Sequence, residues 1–291
     1  MEKEENHKTE AEIAGTTNIY LGDCLEVMKS IPDGSIDMVL TDLPYGVTNK
    51  ASEAGKWDSP IPMEPMWEQF LRVSKNNAAI VLFAQGMFTA QMMMSQPKLW
   101  RYTLIWDKCR ASGFLNAKRM PLRYHEDICV FYRSLPTYNP QLEDLNGREP
   151  NHKQGMGKHK NTNRCYGDLE RWPTPHVAGV ENKKFPKSIL SFPRPHCTGH
   201  HPTEKSVDLC RWLIRSYTNP GEMVLDATMG SGTTGVAALL EGRKFIGIES
   251  EQKYFDVAIE RIKKAEQDFT SNLKQGIIED VEGKDIQHDS E

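Results

Sequence analysis

The sequence lacks long apolar runs, and this absence excludes one broad class of protein. The longest uninterrupted apolar stretch runs from Ala78 to Ala84, far shorter than the roughly 20 residues that a helix needs to cross a bilayer. The chain begins Met-Glu-Lys-Glu-Glu, a charged stretch unlike the apolar region of a secretion signal. These features predict a cytosolic protein without a membrane segment.

Cysteine pairs are also lacking. The six cysteines include no Cys-x-x-Cys pair, which argues against a disulfide framework and against a zinc ribbon. The segment His196-Cys-Thr-Gly-His-His201 contains potential metal ligands, but its spacing matches no structural zinc pattern. The sequence therefore predicts reduced thiols and no bound metal. The cysteines are Cys24, Cys109, Cys129, Cys165, Cys197 and Cys210.

Basic and acidic residues are unevenly distributed, although the net charge of the chain is only −4. Residues 134–201 contain ten Lys and Arg against six Asp and Glu, a net charge of +4, which leaves −8 for the remainder. A basic segment in an otherwise acidic protein suggests contact with a polyanion such as nucleic acid. A solvated charged loop is the alternative for this segment taken alone.

Short apolar runs alternate with amphipathic stretches on both sides of the basic segment. Examples are the predicted strands Asn18–Leu21, Ile36–Thr41 and Met223–Asp226, each followed by a helical stretch. This alternation predicts an α/β fold with a doubly wound, mostly parallel sheet. The basic segment lacks any sustained period and is rich in Pro, Gly and Asn, which predicts a loop-rich insert. The predicted organisation is a flexible tail at 1–17, a first domain half at 18–133, the insert at 134–195, a second half at 196–265 and an acidic flexible tail at 266–291.

Two glycines follow the predicted strand that ends at Asp226. Gly230 and Gly232 let the backbone turn tightly and approach a ligand, and the helix predicted from Thr233 offers free N–H groups to a polar or anionic group. Glu249 ends the next predicted strand, at about the twenty-residue spacing that suits a hydrogen bond to a ribose diol. The pattern fits a dinucleotide and S-adenosylmethionine equally well, and an ordinary tight turn is a third interpretation. A Walker phosphate loop is disfavoured, because no Gly-Lys-Ser/Thr follows.

Another predicted strand ends in Asp42-Leu43-Pro44-Tyr45. In an open α/β sheet, ligands bind at the carboxyl ends of strands, which places this tetrapeptide in a predicted site. The Asp42 carboxylate and the Leu43 carbonyl are suited to accept from an amino group on a flat ring, and Tyr45 offers a stacking face. A capping Asp42 and a Tyr45 that only packs are the structural alternatives.

Four ordered segments resemble the amino-group DNA methyltransferases. Asp42-Leu-Pro-Tyr45 is similar to their Asp-Pro-Pro-Tyr motif, and Asp226-x-x-x-Gly-x-Gly-Thr-Thr234 is similar to their cofactor loop. His201-Pro-Thr-Glu-Lys205 resembles their His-Pro-Thr-Gln-Lys element, which helps hold the methionine end of the cofactor. Gly22-Asp-Cys24 resembles the segment whose acid reaches the cofactor's adenine. The departures, Leu43 for proline and Glu204 for glutamine, are mild, since position 43 is expected to act through its carbonyl.

Two further segments extend the resemblance to about residues 18 to 260, apart from the insert. They are Ile105-Trp-Asp-Lys108 and His125-Glu-Asp-Ile128, in which Trp106, His125 and Glu126 are interpreted as core or pocket-wall residues. The tetrapeptide precedes the cofactor loop, an order that resembles the β group of these enzymes, whose insert recognises the target. RNA and protein amino methyltransferases usually carry the cofactor loop first, which disfavours those substrates.

The resemblance implies the fold of S-adenosylmethionine-dependent methyltransferases, S-adenosylmethionine as the cofactor and double-stranded DNA as the partner. It leaves open a homodimer and a companion restriction endonuclease as further partners. The implied catalytic residues are Asp42, Leu43, Pro44 and Tyr45. The implied cofactor contacts are Asp23, Cys24, Thr203, Lys205, Asp226, Thr228, Gly230, Ser231, Gly232, Thr233, Thr234 and Glu249. The candidate DNA contacts in the insert are Lys153, Lys158, Lys160, Arg164, Lys183, Lys184, Lys187 and Arg194.

Several of these residues have structural alternatives. Asp23 and Glu249 also suit the caps of the helices that follow them. Thr203 and Lys205 also suit the start of a helix, His201 is more readily interpreted as structural, and some of the insert's basic residues are plain surface. The sequence alone leaves these alternatives open.

Adenine is the favoured target, because cytosine amino-group enzymes more often have Ser where this chain has Asp42. Methylation of the cytosine amino group is therefore the nearest alternative. Methylation at cytosine carbon 5 is rejected, because it requires a cysteine nucleophile, which that family places in a Pro-Cys dipeptide absent here. A catalytically inactive DNA-binding relative is a further alternative, disfavoured by the intact tetrapeptide and glycine loop.

Overall fold

The computed structural model describes residues 9–13, 16–46, 58–144, 183–195 and 204–274. The chain divides into two compact units, a larger one formed by Met1–Asn139 and Ser188–Glu291 and a smaller one formed by Pro140–Lys187. Within the described part of the chain, no helix is both long and apolar enough to span a membrane.

The described strands form one nine-stranded sheet in the larger unit and one two-stranded sheet in the smaller unit. The strands are β1 (Thr9–Ile13), β2 (Thr17–Leu21), β3 (Ile36–Asp42), β4 (Ser74–Ala84), β5 (Trp100–Ser112), β6 (Arg123–Phe131), β7 (Glu143–Asp144), β8 (Lys183–Lys184), β9 (Ile189–Ser191), β10 (Met223–Asp226) and β11 (Lys244–Glu249). The large sheet has the order β1-β2-β11-β10-β3-β4-β6-β5-β9. Its strands β2, β11, β10, β3 and β4 are parallel to one another, so the sheet is mostly parallel.

Helices cover both faces of the sheet. In the described residues they are α1 (Cys24–Met28), α2 (Met63–Val73), α3 (Met87–Ser95), α4 (Val207–Tyr217), α5 (Thr233–Leu240) and α6 (Gln252–Lys274). The first three contribute to one apolar core and the last three to another. Strand β3 feeds both cores, because successive strand side chains point to opposite faces. Met38 and Leu40 join the core of α4 to α6, whereas Val39 joins the core of α1 to α3.

The direction in which successive strands are added to the sheet reverses between the parallel neighbours β10 and β3. Strand β10 connects to β11 through α5 on one face, whereas β3 connects to β4 through α2 on the opposite face. Connections that leave two adjacent parallel strands in opposite directions open a crevice at their carboxyl ends. The predicted doubly wound α/β fold is confirmed, and both sequence motifs begin at this crevice.

The predicted flexible tails at 1–17 and 266–291 need correction at their inner ends. Strand β1 pairs antiparallel with β2, from Thr9↔Leu21 to Ile13↔Thr17. An edge strand of this kind pairs through backbone groups, which hydropathy does not report. Helix α6 continues to Lys274, because Ile262, Ala265 and Phe269 keep the apolar spacing of one helix face.

The smaller unit lies inside the predicted insert at 134–195. Residues 188–195 belong to the larger unit, where Ile189 of β9 pairs with Ile105 of β5. Trp106 further donates from Nε1 to the Phe192 carbonyl oxygen over 2.8 Å. Within the smaller unit, β7 and β8 pair antiparallel. Most residues of the smaller unit lie outside the described ranges.

Candidate active site

Side-chain hydrogen bonds join the carboxyl ends of β3 and β10. The Thr41 hydroxyl donates to Oδ1 of Asp226 over 2.7 Å, and the Thr228 hydroxyl donates to the Asp42 backbone oxygen over 2.9 Å. Both loops line one cavity of about 600 Å³, a volume within the usual range for small-molecule sites. The structure therefore brings the two sequence motifs together around a single pocket.

The tetrapeptide after β3 lines this cavity with all four of its residues. The Tyr45 hydroxyl donates to Oδ1 of Asp42 over 2.7 Å, and Nζ of Lys205 lies 2.7 Å from Oδ2. The Tyr45 ring packs beside Phe88, with ring centres 4.8 Å apart. Both oxygens of the Asp42 carboxylate thus have a side-chain donor.

Lys205 belongs to a row of alternating charges. Its Nζ lies 3.1 Å from Oε2 of Glu126, whose Oε1 lies 3.2 Å from Nζ of Lys108. Lys205 and Lys108 are 9% and 3% exposed, so each buried ammonium requires an opposite charge beside it. The row runs Asp42, Lys205, Glu126, Lys108, and its formal charges cancel.

These charges set the protonation of Asp42. Burial raises the pKa of the Asp42 carboxyl, the Lys205 ammonium counteracts that rise, and the Glu126 charge adds to it. Burial alone would lower the pKa of Lys205, but the carboxylates of Asp42 and Glu126 outweigh it and raise that pKa. Burial acts to raise the pKa of Glu126, and Lys205 and Lys108 together lower it. Glu126 therefore stays ionised, whereas Asp42 binds a proton more readily than an exposed carboxyl group.

The loop after β10 is shaped by its glycines. Gly230 and Gly232 have φ values of 52° and 78°, a region that residues with a Cβ rarely adopt. Gly232 is predicted to contact the cofactor, but it does not line the cavity. A Cβ at Gly232 would lie 3.0 Å from the Cβ of Ala258. The role of Gly232 is therefore to turn the chain and to let α5 pack closely on α6.

Glu249 closes the glycine loop from the end of β11. Its Oε2 accepts from the Gly230 N–H over 2.9 Å, and its Oε1 accepts from the Glu251 N–H over 2.9 Å. Burial raises the pKa of this carboxyl. A carboxylate has about four acceptor positions, so capacity remains for a diol. Glu249 therefore lies beside the cavity and also accepts a hydrogen bond at the start of α6. The interpretation as a cofactor contact and the interpretation as a cap do not exclude each other.

Asp226 anchors the loop from within. It is 3% exposed and accepts from the Thr41 hydroxyl and from the Thr228 N–H, the latter over 3.1 Å. Burial raises the pKa of its carboxyl to about 6. Asp226 therefore acts chiefly on the loop conformation, although it also lines the cavity.

Asp23 and Cys24 border the cavity at the start of α1. The Asp23 carboxylate accepts from the N–H groups of Leu25 and Glu26 over 2.8 and 3.1 Å, the geometry of a helix N-cap. Burial raises the pKa of Cys24 to about 12, so its thiol stays protonated and is a poor nucleophile. The capping alternative and the predicted place at the site both apply to Asp23.

Arg261 of α6 supports the glycine loop, and the sequence does not predict it. Its guanidinium donates to the Ser231 carbonyl oxygen over 2.6 Å and to the Ser231 hydroxyl over 2.7 Å. A second nitrogen pairs with Glu204. The one sequence signal that could have indicated this contact is the position of Arg261 beside the apolar face of α6.

Glu126 and Lys108 lie in segments that the sequence marks, but their pairing is not predictable from those segments. Strand β5 pairs antiparallel with β6 in the register Trp106↔Glu126, which brings the two charges to one end of the sheet. A long-range register of this kind leaves no local trace in the sequence.

Some predicted site residues lie outside the described residues, namely Thr203, Lys153, Lys158, Lys160, Arg164 and the segment His196–His201. Lys183, Lys184 and Lys187 belong to the smaller unit, whereas Arg194 belongs to the larger unit and lines the cavity. Among the residues that the structure does describe, no three His, Cys, Asp or Glu side chains form a group that could hold a metal ion.

Comparison with known proteins gives a family and several relatives. The sequence profile of the N6/N4 type "DNA methylase" family matches residues 36–260. The DNA adenine methyltransferase YhdJ of Escherichia coli K12 is 25% identical over 256 residues, covering 84% of this chain and 82% of that protein. The M1.HpyAVI complex with S-adenosylmethionine has a TM-score of 0.56 at 22% identity, covering 84% of this chain and 98% of that one. The PvuII cytosine-N4-specific DNA methyltransferase has a TM-score of 0.58 at 16% identity, covering 90% and 93%.

Proposed function

The chain belongs to the N6/N4 DNA methylase family, and from that premise we propose that it methylates the exocyclic amino group of adenine in double-stranded DNA. The coarser activity, DNA methylation with S-adenosylmethionine as cofactor, is that of the family. One observation carries the proposal: the Asp42 carboxylate and the glycine loop line the same cavity at adjacent strand ends.

Asp42 is the proposed acceptor for the target amino group. A base flipped out of the duplex would enter the cavity beside Tyr45, which offers a ring for stacking. An amine conjugated to its ring is a poor nucleophile. When Asp42 and the Leu43 carbonyl accept both hydrogens, the nitrogen becomes more tetrahedral and its lone pair is aimed. Catalysis then rests on positioning and electrostatics, with no covalent intermediate.

The residues around the glycine loop fit S-adenosylmethionine. Gly230, Ser231 and the first residues of α5 line the cavity, where a helix start favours a polar or anionic group, and Glu249 has acceptor capacity for a ribose diol. Asp23 and Cys24 border the same cavity and are proposed to contact the adenine of the cofactor. When bound, the cofactor supplies a methyl group activated by a sulfonium.

Asp42 also suits the removal of a proton. An amino group that gains a methyl group must lose one hydrogen as a proton. Because burial raises the pKa of Asp42, its carboxylate is a better base than an exposed one. The same side chain is therefore proposed to orient the amine and to receive its proton.

Adenine is favoured by Asp42 itself, since cytosine amino-group enzymes more often have Ser at this position. The relative YhdJ is an adenine methyltransferase, in agreement with that preference. The PvuII enzyme is cytosine-N4-specific and shares the fold, so the cytosine amino group is the second candidate.

The basic insert at 134–195 is the proposed target-recognition segment. Its lysines would neutralise phosphates and make DNA binding dependent on salt, whereas base readout more often uses Arg, Asn or Gln. A homodimer and a companion restriction endonuclease stay predictions.

Transfer of a labelled methyl group to unmethylated genomic DNA tests the proposed function. The DNA is digested to nucleosides, and the labelled product is identified by mass spectrometry. We expect N6-methyldeoxyadenosine from DNA, no label in RNA, and labelling of DNA by Asp42→Ala that is at least about 100-fold slower. N4-methyldeoxycytidine would overturn the assignment to adenine, and unlabelled DNA would overturn the function.

A further inference from the structure

One oxygen of the Asp42 carboxylate is already paired with the ammonium of Lys205. The Nζ of Lys205 is a nitrogen donor 2.7 Å from Oδ2 of Asp42. Aromatic rings surround this nitrogen, with ring centres at 5.1 Å for Phe83, 5.9 Å for Trp106 and 6.0 Å for Tyr45. A flipped base would present the same feature, an N–H donor directed at Asp42 from among flat rings.

Glu126 gives this ammonium a second carboxylate. Its Oε2 lies 3.1 Å from Nζ of Lys205, and its other oxygen is paired with Lys108. A buried ammonium without an opposite charge is strongly unfavourable, so Lys205 can leave Asp42 only if another anion is within reach. Glu126 lines the same cavity and already contacts the ammonium, so it meets that requirement.

We propose that Lys205 is an internal stand-in for the target amine at Asp42, and that Glu126 is the positioning residue that retains the ammonium when the base takes its place. The inference rests on the proposed function, since it presupposes an amine substrate. It also changes the expected role of Lys205, because the contacts of its ammonium are with the catalytic carboxylate rather than with the glycine loop.

The charges around Asp42 make the proposal testable through pH. Lys205 lowers the pKa of Asp42, whereas Glu126 raises it. Asp42 must be ionised to accept the amine, so the rate of transfer rises with pH as this carboxyl loses its proton. Removing the Lys205 charge therefore moves the acid limb of the pH–rate profile to higher pH, and removing the Glu126 charge moves it to lower pH. Among the described residues, the titratable groups that face Asp42 or its ion-pair partners are Tyr45, Lys108, Glu126, Lys205, Cys210 and Asp226.

The experiment is single-turnover methyl transfer to duplex DNA at saturating cofactor, measured against pH for four variants and the wild type. We expect Lys205→Met to move the acid limb upward and Glu126→Gln to move it downward. Glu126→Gln should also lower the plateau rate roughly tenfold or more, the effect of losing a hydrogen bond between charged groups. Lys205→Arg and Glu126→Asp keep their charges and should leave the limb near that of the wild type. Cofactor affinity should be unchanged in all four variants.

Opposite shifts of the acid limb are a result that a merely structural role would not give. The proposal is overturned if Lys205→Met and Glu126→Gln shift the limb in the same direction, or leave it in place while the rate falls. Weaker cofactor binding by Lys205→Met with an unmoved limb would instead make Lys205 a cofactor ligand. If Glu126→Gln does not fold, Lys205→Met against Lys205→Arg decides alone. An inactive wild type refutes the proposed function as well, whereas an active wild type with unmoved limbs refutes only this inference.

Discussion

The two sides of the cavity are held in different ways. On the glycine-loop side, Glu249 accepts from the backbone N–H of Gly230. On the opposite side, Asp42 is held by the side chains of Tyr45 and Lys205. Backbone contacts fix one loop shape, whereas side-chain ion pairs are free to exchange partners. The difference suits a cofactor that binds to a preformed surface and, on the proposal above, a base that takes the place of Lys205 at Asp42.

The largest expected effect comes from removing the Asp42 carboxylate. This change alters the side of the cavity that is held by side chains and leaves the glycine-loop side intact. Asp42→Ala should lower the single-turnover rate on the order of 10²- to 10³-fold, as removal of one transition-state hydrogen bond does. Cofactor affinity, measured by calorimetry, should stay unchanged. Asp42→Asn is the matched control, because it keeps an acceptor oxygen without the charge. Its rate should lie between those of the wild type and Asp42→Ala. Weakened cofactor binding with normal turnover at saturation would show that the roles of the two sides are reversed.

The second largest effect is expected on the glycine-loop side of the cavity, where two glycine variants are compared. Gly232 and Gly242 have φ values of 78° and 67°, but a Cβ would meet Ala258 only at Gly232. Gly232→Ala should weaken cofactor binding about tenfold, because a strain of roughly 1–2 kcal/mol in the left-handed region is added to a close contact beside the loop. Gly242→Ala carries the same backbone strain away from the loop. It should lower the melting temperature with unchanged cofactor affinity. Equal cofactor affinities in the two variants would contradict a preformed loop.

A smaller effect is expected for Arg261, whose side chain supports the glycine loop from α6. Arg261→Ala removes the donors to Ser231 and should weaken cofactor binding roughly fivefold. This effect is smaller than that of removing a direct charged hydrogen bond, since Arg261 acts through the loop. Glu204→Gln is the control, because glutamine keeps an acceptor for Arg261, and its cofactor affinity should match the wild type in the same titration. If the rate of methyl transfer at saturating cofactor falls by the same factor as the cofactor affinity, Arg261 also acts on the Asp42 side of the cavity.

The smallest effects are expected for three lysines of the smaller unit. Replacing Lys183, Lys184 or Lys187 by Ala should reduce the slope of log Kd for DNA against log salt by about 1 for each phosphate that is no longer neutralised. Fluorescence anisotropy over a salt series measures that slope. Lys75→Ala is the control, since Lys75 lies outside the insert, beside Asp37 at the amino end of β3. Slopes that do not change in any of the three variants would remove these lysines from the DNA interface.

The meeting of the two motifs was predictable from the sequence. Asp42 and Asp226 each end a strand that the apolar pattern predicts, and the carboxyl ends of parallel strands share one edge of a sheet. The turn at Gly230 was predictable as well, because glycine marks positions of positive φ. Local pattern and one rule of topology were sufficient for these features.

The ion pairs around Asp42 were not predictable in the same way. The contact between Lys205 and Asp42 joins residues far apart in the sequence, and Glu126 reaches Lys205 only through the register of β5 and β6. Residue type and spacing do not encode such a register. Gly232 shows the converse limit, since its motif position suggested a ligand contact where the structure has a packing contact.

The central claim is that one cavity accepts the methyl donor and the target base side by side. It is tested most directly by the affinity of a conjugate in which N6 of adenine is joined by a short linker to the sulfur of S-adenosylhomocysteine. A shared cavity predicts that the conjugate binds at least about 100-fold more tightly than S-adenosylhomocysteine, that Asp42→Ala removes part of this gain, and that Gly232→Ala weakens both ligands by a similar factor. A conjugate that binds no more tightly than S-adenosylhomocysteine, with the same affinity for Asp42→Ala as for the wild type, would contradict it.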